Sequence, residues 1–305
     1  DIAMYRAKAA GKARYAVFDR SLHAEVSNRL RLEADLRHAI AQGQLAVVYQ
    51  PLVELEGNRL VGFEALARWN HPEQGPIGPD VFIPVAEESG LIVGLTDLVL
   101  KRACDQLRQW QLIDESFADL RIQVNLSGRD VAQAGLTGRI SQALLGAGLQ
   151  AQHLTLELTE NILMERLETA LPMLEELRGL GVRLSVDDFG TGYSSLAHLS
   201  TLPIDSLKVD RSFVRNLSAG SKEAMVVRGI VQLGQSLGKD VVAEGIETAS
   251  QFDQLRGMGC RLGQGFLMAR PMSAERITAL LVGQQPWTGG VALPVALNPL
   301  ATQLH

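Results

Sequence analysis

From Leu45 onward the chain alternates between two hydrophobic periods, and that alternation limits the folds open to it. Strand-like runs occupy 45–53, 59–67, 120–126, 153–158, 182–187, 205–209, 240–244 and 260–267. Helical patterns fill most of the gaps. Val99, Ala103, Leu107 and Trp110 share one face, and further patterns cover 137–146, 167–179, 221–237 and 248–258. Eight strands with helices between them predict an α/β fold, a (β/α)8 TIM-like barrel. The link Glu56-Gly57-Asn58 leaves no room for a helix between the first two strands. That connection is predicted to be a hairpin, so one strand near the N-terminus runs antiparallel to the rest. Thr248 with Gln251 forms a capping-box signature, Gly259 a helix stop, and a last helix is expected after Ser273. Ahead of the barrel, Leu32, Leu36 and Ile40 predict a helix that ends before Gly43. Asp1–Gly11 reads as helix and 14–18 as a short strand, with a polar stretch after them.

Composition narrows the function classes. A 305-residue chain with 46% hydrophobic residues can bury one large core. Its net charge is −5 and its pI about 5.7, with no Lys/Arg run, which argues against binding duplex DNA or RNA. No segment approaches the ~20 apolar residues of a membrane span, so no membrane contact is expected from this chain. Cys104 and Cys260 both sit in apolar contexts outside any CxxC pair, and read as buried, reduced thiols. The six histidines show no HExxH spacing and there is no GxSxG, so neither zinc nor a serine triad is signalled.

What the chain does offer is oxygen ligands at strand ends. Asp187-Asp188-Phe189-Gly190-Thr191-Gly192 closes the alternation Val182, Leu184, Val186. Two adjacent carboxylates repel unless a cation sits between them. Consecutive strand residues point to opposite faces, so Asp188 has to sit where the strand already turns into the glycine-rich loop. The other reading of this motif is a solvated acidic turn. Glu64 lies inside the apolar strand Leu60–Arg68 and needs a partner there; Arg68 could bridge it, or Glu64 could hold a metal and Arg68 a phosphate. Asn125 ends Ile122-Gln123-Val124, either as a neutral metal ligand or as a turn residue. Glu157 is the inward ligand candidate after Leu154-Thr155-Leu156, while Glu160 reads as a loop anchor or an ordinary helix N-terminal acid. Lys208 stands between apolar Leu207 and Val209; it could neutralise a phosphate or be a buried cation paired with Asp210 or another carboxylate. Glu244 could bind metal or act on an attacking water, and Gln264 could orient that water or be a rim amide. An oxygen-rich set points to Mg2+ or Mn2+ rather than zinc.

These segments together resemble the EAL family of cyclic di-GMP phosphodiesterases. The resemblance rests on Glu64-Ala65-Leu66-Ala67-Arg68, Tyr49-Gln50-Pro51, the Asn125 segment, Glu157-Leu158-Thr159-Glu160, Asp187 to Gly192, Leu207-Lys208-Val209-Asp210, Ala243-Glu244-Gly245-Ile246-Glu247 and Gly263-Gln264-Gly265-Phe266 followed by Pro271. It spans about residues 30–283. Asp1-Ile2-Ala3-Met4-Tyr5-Arg6-Ala7-Lys8 through Gly11-Lys12 resembles the closing segment of a GGDEF diguanylate cyclase domain. The organisation expected is a GGDEF remnant at 1–20, a linker at 21–29, the EAL domain at 30–283 and an extension at 284–305, from a tandem GGDEF–EAL parent.

The resemblance implies hydrolysis of cyclic di-GMP to linear 5′-pGpG with two Mg2+ or Mn2+ ions, calcium being inhibitory. Glu64, Asn125, Glu157, Asp187, Asp188 and Glu244 would be the metal ligands. Lys208, Glu244 and Gln264 would act at the attacking water, and Gln50, Leu66, Arg68 and Asp210 at the substrate. Glu160, with Phe189, Gly190, Thr191 and Gly192, would brace a loop leading to a homodimer interface. The implied setting is the bacterial cytoplasm, and the full-length parent could be membrane-anchored through a missing N-terminal region. The alternative is a non-catalytic cyclic di-GMP receptor or allosteric module using the same pocket.

Overall fold

The computed structural model describes residues 20–165, 167–192 and 196–283, with side chains described from Ser27 onward except at 168, 169 and 196–198. The expected GGDEF remnant, apart from Arg20, and the C-terminal extension lie outside the described residues. The chain divides into two compact units, one made of 1–46 and 68–95, the other of 47–67 and 96–305.

The second unit holds the barrel. Among the described residues the strands are β1 (Ala46–Glu54), β2 (Arg59–His71), β3 (Gly75–Ile77), β4 (Arg121–Asn125), β5 (Leu154–Thr159), β6 (Arg183–Phe189), β7 (Ser206–Val209), β8 (Asp240–Ala243) and β9 (Leu262–Gly263). Their order is β1-β9-β8-β7-β6-β5-β4-β2-β3, and the pairing of β1 with β2 closes eight of them into a ring. Neighbours from β2 through β4 to β9 run parallel, whereas β1 lies antiparallel to β9, with Val53 opposite Gly263. This is the predicted mixed barrel with its hairpin. Gly62 lets β2 come close to β4: a Cβ there would lie 2.2 Å from the Arg121 carbonyl oxygen.

The helices follow from the periodic patterns. Ile92–Gln111 contains Val99, Ala103, Leu107 and Trp110, of which the last three are fully buried. Trp110 packs on Phe63 at 4.6 Å and edge-on to Tyr49 at 4.9 Å between ring centroids, and its indole N–H donates to Thr278 at 2.9 Å. Leu136–Ala147, Leu167–Gly179, Lys222–Ser236 and Ala249–Gly257 match the expected spans to within about a residue. Thr248 and Gln251 form the predicted capping box, Gly259 has φ +79°, and Ser273 caps Ala274–Val282.

At three places the structure adds to what the sequence signals. The last strand keeps only two residues, because Gly265 begins a turn closed by Met268 and Ala269 N–H groups on its carbonyl oxygen; the chain then returns to pair Met272 with Tyr49. The polar stretch at 21–29, read as a linker, is helical throughout, within Arg20–Ala41. β3 and the helix Pro79–Ser89 were not expected; Pro84 lies inside that helix, where sequence rules read a break.

Both belong to the first unit. There the distal part of β2 pairs with β3, Trp69 opposite Ile77, and Trp69 meets Phe82 edge-on at 6.0 Å. His71 Nε2 faces Asp35 at 3.2 Å, while its Nδ1 accepts from the Glu73 and Gln74 N–H groups at 3.1 Å each. This histidine is a turn anchor.

Trp110→Ala is expected to cost roughly 3–5 kcal/mol through lost burial and a residual cavity. Leu145→Ala, at a position 79% exposed, should change stability by less than about 0.5 kcal/mol. Urea unfolding of the two variants checks this.

Candidate active site

Inside the barrel, side chains that face inward stack in levels along the strands. Midway lie the buried polar residues Gln123 on β4, Thr155 on β5, Ser185 on β6 and Ser206 on β7, with the Ser206 hydroxyl donating to Ser185 Oγ at 2.9 Å. One step further toward the strands' C-terminal ends come the charges. Register fixes them: Asn125 sits opposite Glu157, Thr159 opposite Asp187, and Lys208 opposite Val242.

Lys208 is the hub. Its side chain has no exposure, and its Nζ lies 2.7 Å from Glu244 Oε1, 2.8 Å from Glu157 Oε2, 3.3 Å from Asp187 Oδ1 and 3.8 Å from Glu64 Oε2. Of the partners weighed from sequence, these carboxylates replace Asp210, which instead caps the helix Arg211–Arg215 through the Ser212 N–H at 3.0 Å. Gln264 Nε2 donates to Glu64 Oε2 at 2.7 Å and to Glu244 Oε1 at 3.0 Å, and Asn125 Nδ2 donates to Glu64 Oε1 at 2.9 Å. Glu64 therefore spends its oxygens inside this cluster.

Asp188 meets the geometric requirement set by the sequence. Its φ is +54°, the register between β6 and β7 shifts between Val186 and Phe189, and its N–H donates to the Asp187 carboxylate at 3.0 Å. The left-handed turn brings the second carboxylate round to the same side as the first. Oxygens of Asp187, Asp188 and Glu244 lie within 4.8 Å of one another. Beyond them, buried Glu160 Oε2 accepts from Gly190 N at 2.9 Å and Gly192 N at 3.3 Å. A Cβ at Gly192 would lie 2.8 Å from the Glu160 carboxylate, so glycine permits this clasp. Phe189, buried, pairs with Val209, and the Thr191 hydroxyl donates to the Asp188 carbonyl at 2.8 Å. Of the expected substrate contacts, Gln50 donates to the Ala269 carbonyl at 3.3 Å, Leu66 is half-buried on β2, and Arg68 belongs to the first unit with the distal part of that strand.

The electrostatics are those of a crowded anionic site. Burial pushes the Glu157 carboxyl well up despite Lys208, and it also raises Asp188, with Asp187 and Asp210 adding to the shift. Glu244 is pushed up to about 8 by burial, only partly offset by Lys208. Burial by itself would lower the Lys208 ammonium, but Glu157, Glu244, Glu64 and Asp187 outweigh it and hold the value well above normal. Five carboxylates thus face one cation. Glu157 Oε1 and Gln264 Oε1 are buried without a hydrogen-bond partner among the described residues. Leaving such an oxygen unsatisfied costs about 1–3 kcal/mol. Excess negative charge, orphaned hard oxygens and three convergent carboxylates fit divalent cations of the Mg2+ or Mn2+ type. Among the described residues, Asp187, Asp188 and Glu244 are the group whose oxygens converge closely enough to hold such an ion.

The mid-level polar residues Gln123, Thr155, Ser185 and Ser206 were not singled out in the sequence, although strict period 2 counted back from Asn125, Glu157, Asp187 and Lys208 finds all four.

The EAL domain family matches residues 33–271. The chain is 45% identical over 279 residues to the bifunctional diguanylate cyclase/cyclic di-GMP phosphodiesterase MucR of Pseudomonas aeruginosa, covering 92% of this chain and 40% of that protein. It is 44% identical over 280 residues to the cyclic di-GMP phosphodiesterase NbdA of the same species, covering 92% and 36%. The chain therefore spans well under half the length of these curated relatives. Among solved structures it resembles the PaMucR phosphodiesterase in its c-di-GMP complex, with 46% identity, a TM-score of 0.77 and coverage of 81% of this chain and 99% of that one. It also resembles the EAL enzyme Bd1971 in a cAMP- and cyclic-di-GMP-bound form, with 31% identity, a TM-score of 0.79 and coverage of 86% and 71%.

Because Glu244 binds its proton more tightly in the folded chain than in the unfolded one, the folded state carries the extra proton between the ordinary carboxylate value and about 8. Stability of the metal-free chain then falls as pH rises through that window. Differential scanning calorimetry in EDTA should show Tm dropping by about 2–6 °C between pH 5.5 and 8, a smaller drop in Glu244→Gln, and a larger gain from added Mn2+ at pH 8 than at pH 5.5.

Proposed function

The chain belongs to the EAL-domain family, and from that premise we propose that it hydrolyses one phosphodiester bond of cyclic di-GMP to give linear 5′-pGpG. The observation that carries this reading is the Lys208 ammonium held among Glu64, Glu157, Asp187 and Glu244 at the strand ends. Every metal-ligand and water-orienting residue expected from the family pattern is present in this sequence, which supports an enzyme over a receptor that has lost its ligands. The names of MucR and NbdA, both with cyclic di-GMP phosphodiesterase activity in their descriptions, point the same way.

Two Mg2+ or Mn2+ ions, when bound by the carboxylates and Asn125, would supply Lewis-acid charge that acidifies the attacking water and draws charge from the phosphoryl oxygens. The chain's own groups do the rest. Lys208, held as an ammonium donor among carboxylates, would donate hydrogen bonds to the water or to a phosphoryl oxygen. Gln264 orients the same water, and Glu244 is the carboxylate beside both groups. Arg68, with Gln50, Asp210 and the backbone near Leu66, would hold the phosphate and the rest of the dinucleotide. Water attacks phosphorus, the bond to the 3′ oxygen breaks, and that oxygen leaves with a proton while the phosphate stays on the 5′ side.

Glu160, through Gly190 and Gly192, would tie the metal-bearing end of β6 to a loop at the surface of a homodimer; residues 193–195 of that loop lie outside the described residues. Among the described residues no helix is long and apolar enough to cross a membrane. The cytoplasmic setting is part of the proposal, as is the tandem parent.

Incubation with cyclic di-GMP and Mg2+ or Mn2+, followed by chromatography, should yield pGpG. Ca2+, which prefers longer and looser coordination, should inhibit. Glu64→Ala should cut kcat at least about 100-fold while the circular dichroism spectrum stays that of the wild type. Tight binding of cyclic di-GMP without pGpG would support the receptor instead.

A further inference from the structure

A second site lies at the opposite end of the barrel, where the strands begin. There a cavity of about 360 Å3 is lined by Arg59, Arg121, Arg183, Arg261, Asp119 and Asp240 among others. Arg59, Arg121 and Arg183 open β2, β4 and β6, Asp240 opens β8, and Arg261 immediately precedes β9. Counted back in twos from Asn125, Asp187 and Glu244, the residues Arg121, Arg183 and Asp240 share the inward face, while Arg59 and Arg261 reach the same space from the starts of their own strands. Four guanidinium groups face two carboxylates across this lining.

The nearby carboxylates do not neutralise the ring evenly. Arg261 Nη1 pairs with Asp240 at 2.6 Å and its Nε with Glu54 at 3.6 Å; Arg59 Nε pairs with the other Glu54 oxygen at 3.3 Å. Arg121 and Arg183 form no ion pair or side-chain hydrogen bond among the described residues, although both are half-buried. Burial depresses the Arg121 guanidinium, and Arg183 adds like-charge repulsion that Asp240 and Asp119 offset only in part. Two half-buried arginines without a hydrogen-bonded carboxylate are costly, and a bound anion lowers the cost by accepting forked hydrogen bonds from both.

The remaining lining decides the anion's class. Around the arginines are short polar groups and aliphatic walls, Leu60, Val61, Leu120 and Leu262, with no Phe, Tyr or Trp ring to stack on a base. His153, buried by its surroundings and receiving the Gln111 Nε2 donor at 3.1 Å on Nδ1, is held neutral and adds no charge. A volume of about 360 Å3 takes an oxyanion with several waters, each occupying about 30 Å3.

We propose that this cavity binds a small, multiply charged oxyanion of the phosphate class between Arg121 and Arg183, at the barrel end opposite the carboxylate cluster. The site needs neither metal nor the proposed reaction, so it stands or falls separately from them.

The test uses inorganic phosphate on the whole chain, in EDTA at fixed ionic strength, with chloride as the balancing salt. Thermal shift and 31P line broadening should both saturate with phosphate. Arg121→Gln and Arg183→Gln should each weaken binding about tenfold or more. Glu64→Gln, at the other end of the barrel, should leave it unchanged. Where a glutamine variant fails to fold, Arg183→Lys keeps the charge but loses the fork, and should still weaken binding severalfold. A phosphate response no different from that to chloride overturns the site, as does one that survives both glutamine variants. A response lost in Glu64→Gln but kept in Arg121→Gln also overturns it, by moving the anion to the carboxylate end.

Discussion

Taking a lysine ammonium wholly out of water is among the more expensive things a barrel interior can do, and here it is done in the middle of the candidate site. Lys208 is tolerable only because carboxylates from β2, β5, β6 and the end of β8 converge on it. The converse holds too, since those carboxylates are tolerable near one another only because Lys208 stands among them. Each makes the other's burial possible, so strand register and site geometry are one constraint. A buried ion cluster of this kind is weak evidence for stability, because aliphatic residues of similar volume could fill the space at least as well. Its value lies in the strongly perturbed groups it creates, and such groups mark functional sites.

The barrel was readable because each strand signals itself locally. Val182, Leu184 and Val186 announce β6, and the three residues between Leu55 and Arg59 can only be a turn. Site membership was readable for a related reason: a charge at the end of an apolar run needs an explanation, whatever the fold. Which charges meet was another matter. Asp210 is two residues from Lys208, and Glu64 is 144 residues away, yet the ammonium chooses Glu64, Glu157, Asp187 and Glu244. Closure of the ring settles that choice, and closure is not local. β9 shows the same limit from the other side. Eight residues look extended, but Gly265 fits so closely against Ile246 that a Cβ would lie 2.2 Å from its backbone, and the chain turns there. The helix Pro79–Ser89 escaped because Pro84 is a breaker by rule and is accommodated here by context.

The two ends of the barrel carry opposite excess charge, carboxylates where the strands finish and guanidinium groups where they start. Between them runs the level of Gln123, Thr155, Ser185 and Ser206, neutral and hydrogen-bonding. This interior is more polar than the branched aliphatic filling usual in such barrels. Leu52, Val61, Val242 and Leu262 form an aliphatic cluster on the β1, β2, β8 and β9 side.

The two buried thiols have a use that their chemistry confers without design. Cys104 and Cys260 are fully or nearly fully covered, and burial pushes both up to about 12, so the reactive thiolate is scarce in the folded chain. One sits on a helix packed outside the ring, the other at the entry to β9, the shortest stave. A thiol reagent applied to the unaltered chain therefore reads out opening events at two places at once. The order in which the two cysteines become labelled reports whether the barrel parts first at its weakest seam or opens as a whole.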